Sequence, residues 1–126
     1  MRVLQIIESA YRCTIEEQDD PAVWITHAMT GAGAELGVLL RGNAVNYALT
    51  GQEAAGLQFG RIKQSQPPRI DHEVSKLVDK GINVYAIQED GMERGINPDQ
   101  YVTGIQAISR EDIPRLLDGY DQVWHW

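Results

Sequence analysis

The segment 71–87 (DHEVSKLVDKGINVYAI) contains a helix followed directly by a strand. Asp71 is a good N-capping residue, apolar side chains then recur at helical spacing, and Gly81 ends the pattern. Residues 82–87 (INVYAI) form a short apolar run that is typical of a buried strand. The segment therefore predicts one α-then-β unit of a parallel α/β sheet.

The same alternation extends along the rest of the chain in both directions. Strands are predicted at 2–8, 36–40, 105–108 and 122–126, and helices at 21–31, 43–49, 97–104 and 112–119. Parallel neighbours need crossover connections, and helices supply them on both faces of the sheet. We therefore expect one α/β domain over residues 1–126, a three-layer α/β/α sandwich whose sheet is mostly parallel and has about five strands.

Residues 50–69 break this pattern with Gly, Gln, Ser and the pair Pro67-Pro68. A connection of this length is unusual in a small domain, so we expect a lid, a subunit contact or a mobile loop. Arg61, Lys63 and Arg69 are a basic exception in an acidic chain, which favours the subunit contact.

Composition narrows the function classes. The chain has 126 residues and a formal charge of −7, which repels phosphate backbones and anionic membranes. It contains one cysteine, three scattered histidines and no apolar run long enough for a signal peptide or a membrane span. We expect a cytoplasmic protein with no metal and no nucleic-acid or membrane partner. No cofactor is expected either, because glycines 31, 33 and 37 precede a strand, unlike a dinucleotide fingerprint.

Ligands of open α/β sheets bind outside the carboxyl ends of the strands. Arg41-Gly42-Asn43 follows the second strand, where a glycine turn into a helix exposes N–H groups that can hold an anion. The alternative is an ordinary helix cap in which Arg41 pairs with a surface acid.

An acidic cluster follows the third strand, where Gln88, Glu89 and Asp90 are predicted to line a pocket, with Glu93 nearby. Like charges in a cleft can raise one carboxyl pKa into the range of a general acid or base. The alternative is an acidic turn that faces water.

Cys13 lies just after the first strand and is the candidate nucleophile. Arg12 and a following helix N-terminus favour the thiolate, whereas the acids Glu16, Glu17, Asp19 and Asp20 oppose it. The alternative is a cysteine with no chemical role.

Five segments together resemble the DsrE/DsrF/DsrH-like family, which includes subunits of the Dsr and Tus sulfur-relay complexes. They are VLQIIESA (3–10), GVLLRGNAVNYAL (37–49), KLVDKGINVYA (76–86), ERGI (93–96) and DQVWHW (121–126). The resemblance implies a cytoplasmic trimer or hexamer of like subunits in a family whose active members carry a cysteine persulfide. A sulfur-carrier protein is then a possible partner, and the acidic surface favours one with a basic docking face.

In active members the persulfide cysteine lies at the end of the third strand, shortly before an Arg-Gly pair like Arg94-Gly95. Here Ile87, Gln88 and Glu89 occupy that place, and none of them can form a persulfide. We therefore expect a non-catalytic subunit or binding module. The alternatives are a sulfur relay through Cys13, or a small hydrolase or lyase that uses Glu89 or Asp90 as a base.

The closing strand also bears on assembly. Trp124 and Trp126 alternate with His125, so the two indoles share one face of the strand. Large apolar side chains at a sheet edge favour a subunit interface, which is a second reason to expect a homo-oligomer.

Overall fold

The protein is described here from a computed structural model that covers residues 1–12 and 20–126. The strands are β1 (Arg2–Ile7), β2 (Glu35–Leu40), β3 (Gln58–Phe59), β4 (Ile62–Lys63), β5 (Asn83–Ile87), β6 (Gln106–Ile108) and β7 (Gln122–His125). The helices are α1 (Pro21–Gly31), α2 (Ile70–Asp79), α3 (Gln88–Glu93) and α4 (Ile113–Asp118), and 3₁₀ helices span Gly42–Ala48, Pro98–Gln100 and Arg110–Asp112.

Five strands form one parallel sheet in the order β6-β5-β2-β1-β7. Helices cover both of its faces, so the predicted α/β sandwich is confirmed. All the strand ends predicted to bear candidate residues therefore lie at one edge of the sheet, because parallel strands share a direction.

The two faces of the sheet carry cores of different size. Alternate residues of β1 and β2 point to opposite faces, so Ile7 and Leu40 belong to one core while Leu4 and Leu39 belong to the other. The first core is closed by α1, α2 and the 3₁₀ helix Gly42–Ala48, whereas the second is packed against α4. The face of the sheet that packs against α4 is therefore covered by fewer helices than the other face.

The structure contains a hairpin and a helix that the sequence did not predict. The supposed loop 50–69 contains an antiparallel hairpin, β3 and β4, whose turn has Gly60 at φ +60°. Glycine adopts this left-handed conformation without the penalty that a Cβ atom brings. The acids after β5 do not form a turn but begin α3 at once, so they lie on a helix that starts at the edge of the sheet.

Two predicted N-caps are wrong by two residues, because a sequence pattern locates a helix boundary only to within one or two residues. The 3₁₀ helix begins at Gly42, which leaves Asn43 inside it, and α2 begins at Ile70, which leaves Asp71 inside its first turn. Asp71 instead accepts a hydrogen bond of 2.9 Å from the Gly51 N–H, and so ties the 50–69 segment to α2.

The C-terminal strand is held by a buried polar chain. Its register with β1 puts Trp124 opposite Gln5 and His125 opposite Ile6, so the two tryptophans share a face as predicted. The Trp126 indole N–H donates to Gln5 Oε1 at 2.5 Å, and the Gln5 amide donates to Thr26 of α1 at 3.1 Å. Gln5 is fully buried, and these bonds satisfy it.

Candidate functional site

The structure brings the residues after β2 and the residues after β5 together. Gly42 N–H donates to Asp90 Oδ2 at 2.8 Å, which joins the start of the 3₁₀ helix to α3. Of the predicted residues here, Asp90 is buried, Arg41, Gly42 and Glu89 are half-buried, and Asn43 and Gln88 are exposed. Asp90 is therefore the one buried side chain among the six predicted residues at this edge of the sheet.

Asp90 also forms an ion pair with Arg110, whose Nη2 lies 2.5 Å from Asp90 Oδ1. Burial by itself disfavours the carboxylate, but the Gly42 N–H and the Arg110 guanidinium outweigh it and hold the pKa of Asp90 below its ordinary value. The expectation that crowded acids would raise this pKa is wrong. Asp90 is an anion at neutral pH and has no proton to donate.

Glu89 is bound in a similar way. The Arg110 backbone N–H donates to Glu89 Oε2 at 2.6 Å, and this bond is the main reason that the pKa of Glu89 is lowered as well. Arg110 also lies 3.5 Å from Glu93 Oε1. Arg110 thus contacts all three acids, through its guanidinium for Asp90 and Glu93 and through its backbone N–H for Glu89.

Arg94 links the other end of α3 to the 3₁₀ helix. Its Nη2 donates to Asn43 Oδ1 at 2.9 Å, and its Nη1 donates to the Asp90 carbonyl at 3.0 Å. Sequence reasoning missed both Arg94 and Arg110 as site residues. Arg110 could have been predicted, because it lies just after β6, and the carboxyl end of β6 is at the same edge of the sheet as those of β2 and β5.

Arg41 is placed differently from its neighbours. The structure shows no partner for its buried Nε atom and no ion pair for its guanidinium within residues 1–12 and 20–126. The alternative of a cap paired to a surface acid is therefore not seen in that part of the chain. The Gly42 N–H already donates to Asp90, so an external anion would have to be bound mainly by Arg41. The anion site at Arg41, Gly42 and Asn43 stays a prediction.

Cys13 lies outside the described residues, but its flanks converge on one buried side chain. The Tyr11 and Arg12 N–H groups both donate to Tyr47 Oη, and Tyr47 Oη donates to Asp20 Oδ2 at 2.6 Å. Burial is the main cause that raises the pKa of Tyr47, and the Asp20 carboxylate adds to it. Tyr47 therefore stays neutral and connects the end of β1 to the start of α1.

An open cavity of about 350 Å³ lies on the α4 face, away from these acids. Tyr85, Ile108 and Tyr120 contribute to its walls, and the Arg2 guanidinium lies 4.8 Å from the centre of the Tyr120 ring. Tyr120 Oη reaches the β2 backbone at Gly37, where any Cβ atom would collide with it.

Gly37→Ala should therefore lower the free energy of unfolding by about 1–3 kcal/mol, because the methyl group must displace the Tyr120 ring. Chemical denaturation of both proteins measures the loss. In a Tyr120→Ala background the same change should cost less than half as much. Equal losses in the two backgrounds would contradict the collision.

Residues 1–12 and 20–126 contain neither a cluster of metal ligands nor a membrane-spanning helix. In the described part of the chain no group of three or more His, Cys, Asp or Glu side chains could hold a metal ion. None of the helices described above combines the length and the apolar character needed to cross a membrane.

The sequence and the structure of this chain differ in how closely they match known proteins. No protein-family model matches the sequence, and no curated protein sequence matches it significantly. The structure is similar to the crystal structure of the YchN protein from E. coli, with a TM-score of 0.77, 16% identity, and coverage of 99% of this chain and 98% of that one. It is also similar to MTH1491 from Methanobacterium thermoautotrophicum, described as a protein of unknown function, with a TM-score of 0.68, 12% identity and coverage of 99% and 98%. The chain therefore has a DsrE/YchN-like fold, and the resemblance noted in the sequence holds at that level.

Proposed function

We propose that this protein is a non-catalytic subunit or binding module of DsrE-like type, linked to sulfur trafficking in the cytoplasm. The observation that supports this proposal most strongly is the chemistry of the residues that follow β5. Residues 88–90 offer no thiol, and the Asp90 carboxylate is held by Gly42 and Arg110. A side chain committed to internal bonds stabilises the edge and is a poor participant in turnover.

The hydrolase or lyase alternative loses its main support. A general base that works near neutral pH needs a pKa close to that pH, and the pKa values of Glu89 and Asp90 are both lowered. These acids also have partners that would compete with a substrate proton.

The sulfur-relay alternative depends on one sulfur atom, the Sγ of Cys13. Cys13 is the only cysteine among the 126 residues, so any persulfide on this chain must form there. This makes the two hypotheses separable by one measurement.

The proposed assembly is a homo-oligomer, a trimer or hexamer, that presents an acidic surface to a sulfur-carrier protein. Support comes from β7, which is an edge strand of the sheet that the described residues form. The tryptophan pair contributes less than the sequence suggested, because Trp126 is bonded to Gln5 inside the protein.

Intact-protein mass spectrometry after incubation with a persulfide donor tests the proposal. We expect no gain of a sulfur atom on the wild-type protein or on Cys13→Ser, the matched variant without a thiol. A subsequent incubation with a thiol-bearing carrier should transfer no sulfur. An adduct on the wild type that is absent from Cys13→Ser, and that passes to the carrier, would replace this proposal with the relay through Cys13.

A further inference from the structure

The β3–β4 hairpin carries two exposed apolar side chains next to each other. All four residues of its strands are exposed, and Phe59 and Ile62 are 70% and 75% exposed. These two residues pair directly across the ribbon, so their side chains lie on the same face. Single exposed apolar residues are normal, but an adjacent pair on one face forms a patch.

Within residues 1–12 and 20–126, Phe59 and Ile62 receive little packing, since both side chains are largely exposed. A two-stranded ribbon alone is marginally stable in water. Here it is held at its base, where the Gln64 N–H donates to the Leu57 carbonyl at 2.8 Å and the Gln64 side chain accepts from the Leu57 N–H at 3.1 Å. A surface that covers Phe59 and Ile62 would supply the missing packing.

Charge indicates what that surface is. Residues 57–64 (LQFGRIKQ), which we call the arm, contain Arg61 and Lys63 and no acid. The whole chain has a formal charge of −7, so the chain outside the arm carries −9 when the two positive charges of the arm are taken away. The arm is therefore complementary to the body of another copy of this chain.

We propose that the arm packs on the body of a second copy, with Phe59 and Ile62 buried in the contact and Arg61 and Lys63 facing acids. Contact between two arms is disfavoured, because it would bring like charges together. This inference rests on the proposed homo-oligomer and adds to it the surface that holds the copies together.

Size-exclusion chromatography with light scattering on the full chain tests this contact. Phe59→Ser/Ile62→Ser should give the monomer mass of 14.1 kDa, with association weakened roughly 100-fold, since two side chains are lost from the centre of the contact. Met92→Ser, which removes an apolar side chain of α3 that is 63% exposed, is the control from outside the arm and should assemble like the wild type. Circular dichroism checks that each variant is folded.

A charge variant provides an independent test that leaves the apolar pair in place. Arg61→Glu/Lys63→Glu should weaken association at low salt, and the difference from the wild type should shrink at high salt, where screening is strong. If the wild type is itself a 14.1 kDa monomer, both the arm contact and the proposed homo-oligomer are wrong. If the wild type assembles and both double variants assemble equally well, only the arm contact is wrong.

Discussion

Replacing Asp20 with alanine should lower the free energy of unfolding by about 3–4 kcal/mol, the largest effect that we expect from one polar side chain here. Asp20 is fully buried and caps α1 by accepting from the Ala22 N–H at 2.8 Å. It also accepts from the Tyr47 hydroxyl at 2.6 Å. Alanine removes the cap and leaves a buried phenol without its acceptor, and each loss is costly. Urea denaturation followed by circular dichroism measures the change.

Conservative variants distinguish the loss of the Asp20–Tyr47 hydrogen bond from a general loss of core packing. Asp20→Asn can still cap α1 through its one side-chain oxygen, but its NH2 group replaces the oxygen that accepts from Tyr47, so it should lose less stability than Asp20→Ala by about the contribution of the cap. Tyr47→Phe removes the acceptor of the Tyr11 and Arg12 N–H groups and should couple strongly to Asp20→Ala in a double-mutant cycle. Additive effects of the two changes would show that the pair does not act as a unit.

Replacing Asp90 with asparagine should have the second largest effect, a loss of about 2 kcal/mol at pH 7 that depends on pH. The pKa of Asp90 is lower in the folded protein than in the unfolded chain, so its ionisation stabilises the fold. The contribution is complete above the unfolded value of about 4 and is lost as the pH falls through the lower folded value. The difference in stability between wild type and Asp90→Asn should therefore vanish in acid.

Denaturation of both proteins from pH 7 down to pH about 2 makes this comparison, over the range in which a carboxyl with a lowered pKa titrates. Glu93→Gln is the matched control, because Glu93 lies 3.5 Å from the same guanidinium but its side chain is 62% exposed. It should change stability little at any pH. A difference for Asp90→Asn that stays constant across this range would mean that the carboxylate charge contributes nothing to folding.

The elements that sequence patterns predicted well are those with local signals. The helix start at Asp20-Pro21, the capping box at Asn97 and the strand 82–87 all carry their information within a few residues, and all three are present. The β3–β4 hairpin was missed because its strands are two residues each, too short for an alternation to be recognised. Helix α3 was missed because its acids resemble a solvated turn when they are considered without their partners.

The sequence by itself determined the five strands of the main sheet and their order along the chain, and hence a parallel sheet with candidate residues at its carboxyl edge. The apolar period and the capping residues act over one or two turns of chain, so they can be recognised without the fold. Only the tertiary structure decided the partners: Arg110 reaches Asp90 across 20 residues, and Tyr47 reaches Asp20 across 27. Those contacts depend on which strands are neighbours, and they set the charge state of the acids, because a carboxyl pKa responds to the donors around it.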